Sequence, residues 1–143
     1  MKIIEPKTSA EFDKYYQLRW EILRKPWNQP KGSEQDIVED SSFHAMLCND
    51  KDDAVAVCRL QLNSPTEGQI RFMAVDTSQQ GGGFGKQILK YQEERAKAMG
   101  VTKMVLDARE NAVKFYEACG YKTVAKGHLL YGEIQHYRMS KEL

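Results

Sequence analysis

Residues 79–86 read QQGGGFGK, with four glycines in five positions, and no other stretch restricts the fold as much. The segment before it, QIRFMAVD, has the apolar and β-branched content of a strand. After it, Ile88, Leu89, Tyr91, Gln92, Arg95, Ala96 and Met99 recur at helical spacing up to Gly100, a natural helix-ending residue. A strand must therefore turn into a helix through residues that carry almost no side chains. So short a turn, clamped between two regular elements, is not a flexible interdomain spacer.

Two nucleotide motifs come close and fail. A Walker A loop needs Gly where Gln80 stands and a hydroxyl where Gln87 stands, so nothing would reach Mg²⁺. A dinucleotide fingerprint starting at Gly81 needs Gly where Lys86 stands, and a parallel β-α-β unit around it. What the segment does allow is direct approach of an anion to backbone amides. The glycines remove Cβ atoms, the following helix N-terminus attracts negative charge, and Lys86 stands at the rim. The plain alternative is that the glycines only make the turn, for which two would suffice.

The rest of the chain supplies the surroundings. KIIEP suits a first strand stopped by Pro6. Thr8 with Glu11 three residues on is a capping-box pattern. Phe12, Tyr15, Tyr16, Arg19, Ile22 and Leu23 then predict a helix over 9–24, broken by Pro26. KPWNQPKGSEQDIVED is a long connection with a helical turn expected near 33–37, and its acidic run from Glu34 to Asp40 reads as solvated loop. Segments 43–48, 54–62 and 69–76, separated by the polar turns NDKDD and NSPTEG, predict an antiparallel meander. After the central helix come a strand (VTKMVLDA) and a short helix (ENAVKFYEACG). Two strands follow, YKTVAK and EIQHYRMS, joined by a loop, GHLLYG. The order β-α-(α)-β-β-β-α-β-α-β-β predicts an α/β (α+β) fold, one domain over residues 1–143, with a mixed sheet and helices on both faces.

Charge excludes some partners. With 21 basic and 20 acidic residues the net charge is +1, which leaves no broad basic footprint for nucleic acid. No apolar run approaches the ~20 residues of a membrane span, and the N-terminus does not read as a signal peptide. Cys48, Cys58 and Cys119 are odd in number and far apart, and the three histidines lack metal-ligand spacing. Reduced thiols, a cytoplasmic location and no metal are the resulting expectations. A Cys48–Cys58 bridge across a hairpin is the less favoured alternative.

VDTSQQGGGFGKQIL resembles the acyl-CoA-binding signature of the GNAT superfamily of N-acyltransferases, [QR]-x-x-G-x-[GA] directly after a strand. Gln80, Gly83 and Gly85 fill it, with the frequent extra glycine at Gly81. Downstream, ENAVKFYEACGYKTV resembles the second landmark of that superfamily. Asn111 opens a short helix, Phe115 and Tyr116 form an aromatic pair, and Gly120 stops the helix before a strand. The likeness is close over roughly 69–124, and the element order extends it to the whole chain. Two departures stand out: Thr77 occupies a position where the family often has Pro, and 69–75 carries no carboxylate, where some relatives place a general base.

The resemblance implies a mostly antiparallel GNAT-type sheet and acetyl-CoA as co-substrate, without a metal. Acetyl-CoA would lie where the strand ending at Val75 and the VTKMVLDA strand splay apart. Backbone groups of Met73, Ala74 and Val75 would run beside the pantetheine arm. Amides of Gly81, Gly82, Gly83, Phe84, Gly85 and Lys86, next to Gln80, would receive the pyrophosphate. Asn111 would hold the arm near its thioester. Tyr116 would be the general acid for the departing thiolate, its alternative being a packing role like that of Phe115. The amine would attack directly through a tetrahedral intermediate, with a strand amide facing the oxyanion. The general base stays open among His44, Glu67, Asp107 and His136. Trp20, Arg24 and Trp27 fall where such proteins commonly line the acceptor site, against core packing for Trp20 and plain surface for the others. The acceptor, a small-molecule or peptide amine, is not specified, and a homodimer is compatible. Two other readings stand beside the N-acetyltransferase: a non-catalytic acyl-CoA-binding sensor or interaction module of the same fold, and a phosphate binder that would take ATP or GTP.

Overall fold

A computed structural model describes residues 1–143. Along the chain run β1 (Lys2–Ile4), α1 (Ser9–Leu23), β2 (Phe43–Cys48), β3 (Ala54–Leu62), β4 (Glu67–Val75), α2 (Phe84–Ala98), β5 (Lys103–Arg109), α3 (Val113–Ala118), β6 (Lys122–Leu130) and β7 (Ile134–Glu142). The strands make one sheet in the order β1-β2-β3-β4-β5-β7-β6, antiparallel throughout except for β4 against β5. Apart from the bracketed second helix, the expected order and the sheet class are present.

Strand alternation divides the core between two faces. Met46, Cys48, Val57 and Ala74 point toward α1 and pack with Tyr15 and Leu18. Ala45, Leu47, Ala56, Cys58 and Leu60 point to the other face, under Ile88 and Leu89 of α2 and Tyr116 of α3. α1 starts on the capping box anticipated from Thr8 and Glu11: Glu11 N–H donates to Thr8 Oγ1 (3.1 Å) and Thr8 N–H to Glu11 Oε1 (3.0 Å). All three cysteines are free. Cys58 faces Ala45 across the hairpin while Cys48 faces Ala54, so no bridge joins them.

Three expectations need correction. Residues 33–37 form no helical turn but a string of tight turns, with Gln35 N–H donating to the Gly32 carbonyl. GHLLYG is not a loop. β6 continues to Leu130 through two register shifts, and Gly127 lies so close to the His136 backbone that a Cβ there would sit 3.1 Å from its carbonyl oxygen. The acidic run is not solvated either: Glu34 and Glu39 are buried, and Glu39 sits between Arg19 (2.9 Å) and Arg59 (2.7 Å), with Asp36 also on Arg59 (2.7 Å). Two buried guanidinium groups need counter-charges, and the loop supplies them.

The feature that creates a site is the partial pairing of β4. It pairs with β5 only from Glu67 to Ile70. Beyond that, β4 follows β3 to Val75 while β5 follows β7 to Arg109. At the parting point the β3–β4 register slips, and Phe72 takes a left-handed backbone with φ of 52°. A non-glycine residue there costs about 1–3 kcal/mol and marks a bulge that bends the strand away.

Candidate active site

The opening between β4 and β5 is a cleft of about 850 Å³, a size suited to a small ligand. Its walls hold Met73, Ala74, Val75, Gln80, Gly81, Gly83, Phe84, Gly85, Lys86, Asn111 and Tyr116. Of the residues expected at the cofactor, Gly82 alone is not on the wall.

At one end the glycine turn meets α2. Gly81 and Gly83 have φ of 86° and 83°, where L side chains are strained, and no atom stands within 4 Å of an added Cβ at either. Gly83 is the residue before the first helical turn, and no side chain caps that end. The first amides of α2 consequently have no internal partners and face an open, positively polarised space. The glycines divide their work. A Cβ at Gly85 would come 3.3 Å from Phe115 Cζ and 3.4 Å from Val75 Cγ2, so this residue brings α2 close to β4 and α3. Gln80 Nε2 donates to the Val75 carbonyl (3.2 Å) and ties the turn to the strand end.

Asp76 N–H donates to Val55 of β3. By strand alternation, Ala74 also points its amide toward β3, whereas Met73 and Val75 point theirs into the gap. Tyr116 is buried, and desolvation first, then nearby Cys58 and Cys119, pushes its hydroxyl well above the ordinary range. Its ring packs edge-on against Phe115 and Tyr121, so packing and an available hydroxyl coexist in one residue. That hydroxyl stays a proton donor.

The four candidate bases separate. His44 is buried away from the cleft, Nε2 donating to the Glu39 carbonyl (2.8 Å) and Nδ1 accepting from the Tyr15 hydroxyl (2.8 Å). Glu67 lies at the closed end of β4 beside Asn63. Asp107 lines the cleft but holds Arg138 through both oxygens, at 2.8 and 3.1 Å. His136 lines the cleft with Nδ1 3.0 Å from the Ile134 carbonyl. A carbonyl only accepts, so Nδ1 carries the proton and Nε2 keeps a free lone pair. Burial lowers its pKa, helped by the neighbouring His128 and by Arg109, although the Ile134 bond and Asp107 oppose this. His128 stacks on it at 4.2 Å.

Of the three acceptor-side residues, only Arg24 lines the cleft. Trp20 donates from Nε1 to the Gln29 carbonyl (2.9 Å), and Trp27 leans on Tyr131. Sequence reasoning missed Arg71, Phe72, Arg109 and His128, all on the wall. An alternating strand with an arginine in it would have flagged Arg71; the bulge that turns Phe72 had no local signal.

The fold and cleft together define an acyl-CoA N-acyltransferase architecture. The description "Acetyltransferase (GNAT) family" matches residues 12–121, and the chain belongs to that family. It is 28% identical over 142 residues to the uncharacterised N-acetyltransferase YjcF of Bacillus subtilis, covering 99% of this chain and 100% of that one. A presumed N-acetyltransferase from Lactobacillus plantarum superposes with a TM-score of 0.87 at 26% identity, covering 99% of this chain and 97% of that one. An aminoglycoside 6'-N-acetyltransferase solved with coenzyme A superposes with a TM-score of 0.82 at 17% identity over the same shares. This last likeness concerns the fold.

Proposed function

We propose that the protein transfers an acetyl group from acetyl-CoA to a primary amine of a small molecule or peptide by direct attack. One observation carries the reading: the unpaired edge of β4 leads to an uncapped helix N-terminus, and Tyr116 lines the same cleft. An extended arm laid along Met73 and Val75 would pair with the exposed strand amides. Its pyrophosphate would then reach the amides from Gly81 to Lys86, with Asn111 beside the arm. That the coenzyme A complex of the aminoglycoside 6'-N-acetyltransferase shares this fold supports the placement.

The chemistry follows from the side chains. The amine nitrogen forms a bond to the thioester carbon, and an amide of splayed β4 faces the resulting oxyanion. His136 Nε2, through water, takes the proton that the ammonium must lose. The C–S bond breaks as Tyr116 gives its proton to the departing thiolate, and the second proton of the attacking nitrogen passes to water, from which Tyr116 regains one. Thiol release in the presence of an amine panel tests the reading. Acetyl-CoA binding without release from any amine would instead favour the non-catalytic sensor module.

A further inference from the structure

The acceptor end of the cleft holds more positive charge than the protein neutralises. Guanidinium carbons of Arg19, Arg59, Arg71 and Arg24 stand 4.5, 4.8, 4.9 and 5.8 Å from the centre of the Phe72 ring. Arg19 and Arg59 are matched by Glu39 and Asp36. Arg24 and Arg71 have no carboxylate partner, nor does Arg109, which lines the same wall. Arg109 donates to the Leu23 carbonyl (3.0 Å) and Arg24 to the Tyr131 hydroxyl, both neutral acceptors. Arg24 Nε is buried with no hydrogen-bond partner.

The carboxylates on this wall do not cancel the excess. Asp107 is taken by Arg138, and Glu21 is exposed and engaged by Gln17 (2.7 Å). The C-terminus of α1 favours cations and accounts for part of the placement of Arg24 and Arg109. It does not account for Arg71, which sits on β4 and takes no protein acceptor. Nor does the pyrophosphate cradle, since Arg71 lies roughly 13 Å up the strand from Val75 at about 3.3 Å per residue. Desolvation first, then the charge of Arg59, holds Arg71 below the ordinary arginine value, with Arg24 adding to this and the more distant charges of Asp36 and Asp107 offsetting it only in part.

We infer that this end of the cleft is a subsite for an anionic group of the acceptor, so that the amine substrate carries a carboxylate or phosphate bound chiefly by Arg71, with Arg24 and Arg109 beside it. The planar guanidinium fork matches both anions. The inference rests on the acetyltransferase reading and names the substrate class within it.

Matched amines test it by thiol release: 6-aminohexanoate against hexylamine, and 5-aminopentyl phosphate against 5-aminopentanol. The charge lies far enough from nitrogen to leave its basicity nearly equal. In at least one pair the acidic member is expected to have a kcat/KM about tenfold or more higher, the effect of one charge-assisted contact. The two pairs distinguish carboxylate from phosphate. In R71Q that ratio should collapse toward one while the Kd for acetyl-CoA stays within about twofold, since the cradle is elsewhere. Neutral members used as well as acidic ones, or a preference that survives in R71Q, would overturn the subsite and leave the acetyltransferase standing. No release from any member would overturn the acetyltransferase reading itself, and the subsite with it.

Discussion

Arg59 Nη1 lies 2.7 Å from Glu39 Oε2, and both side chains are almost wholly removed from water. The contact joins the middle of the sheet to a loop that composition alone would leave in solvent. It also sets the base on which Phe72, and hence the acceptor end of the cleft, rests. Removing the carboxylate leaves the buried Arg19 without a counter-charge and Arg59 with Asp36 alone. Glu39→Gln should therefore destabilise the fold by about 3–5 kcal/mol, read as a lowered midpoint in thermal or urea unfolding. An unchanged midpoint would mean the loop is not part of the core.

The glycines should respond differently to substitution. At Gly83 a side chain meets open space but a strained backbone. Gly83→Val should weaken acetyl-CoA binding about tenfold or more, with a stability cost of only ~1–2 kcal/mol. Gly85→Val instead overfills the contact with Phe115 and Val75, so the loss should appear first in stability, by about 1–3 kcal/mol. Calorimetry and melting on the two variants separate cradle from packing.

Tyr116→Phe keeps the packed ring and removes the hydroxyl. Turnover should fall about 10²-fold or more if proton donation to the thiolate limits the rate, with acetyl-CoA affinity little changed. Because burial holds the phenol protonated, no alkaline limb from this group should appear near neutral pH. Equal rates for the two enzymes when chemistry limits would remove Tyr116 from the mechanism.

Histidine protonation links pH to both stability and rate. Burial lowers the folded pKa of His44, reinforced by Arg19 and Arg59, and of His136, each from an ordinary value of 6.5. Below 6.5 the unfolded chain binds protons that the folded chain does not. Their contribution to stability is thus complete above pH 6.5 and is lost as pH falls through the folded values, by up to about 1.4 kcal/mol per pH unit for each histidine. Thermal melts between pH 5 and 8 check the slope, which His136→Asn should reduce. The same variant should remove the acidic limb of kcat/KM that His136 imposes as a base; a limb that persists unchanged assigns the base elsewhere.

Much of this was legible in local sequence. The glycine turn, the Thr8–Glu11 cap, the Asn111–Tyr116 segment and the order of strands all depend on neighbours a few residues apart. What was hidden depends on distant partners. Glu39 reads as a solvated charge until Arg19 and Arg59 are brought beneath it, 20 residues away on either side. His44 reads as a free imidazole until Tyr15 closes over it. Arg71 gains its place in the proposed subsite only from the bulge at Phe72 and from the hold of Arg138 on Asp107, the carboxylate across the cleft. In the sequence Gly127 looks like a break in β6, whereas in the fold it allows close approach to the His136 backbone.

The most direct test of the account is titration calorimetry of the protein with acetyl-CoA and, separately, with ATP. The prediction is saturable one-to-one binding of acetyl-CoA, lost or strongly weakened in Gly83→Val, and no comparable binding of ATP. Binding of ATP in preference to acetyl-CoA, or no binding of acetyl-CoA at all, would contradict the assignment of the β4–β5 cleft to an acyl-CoA.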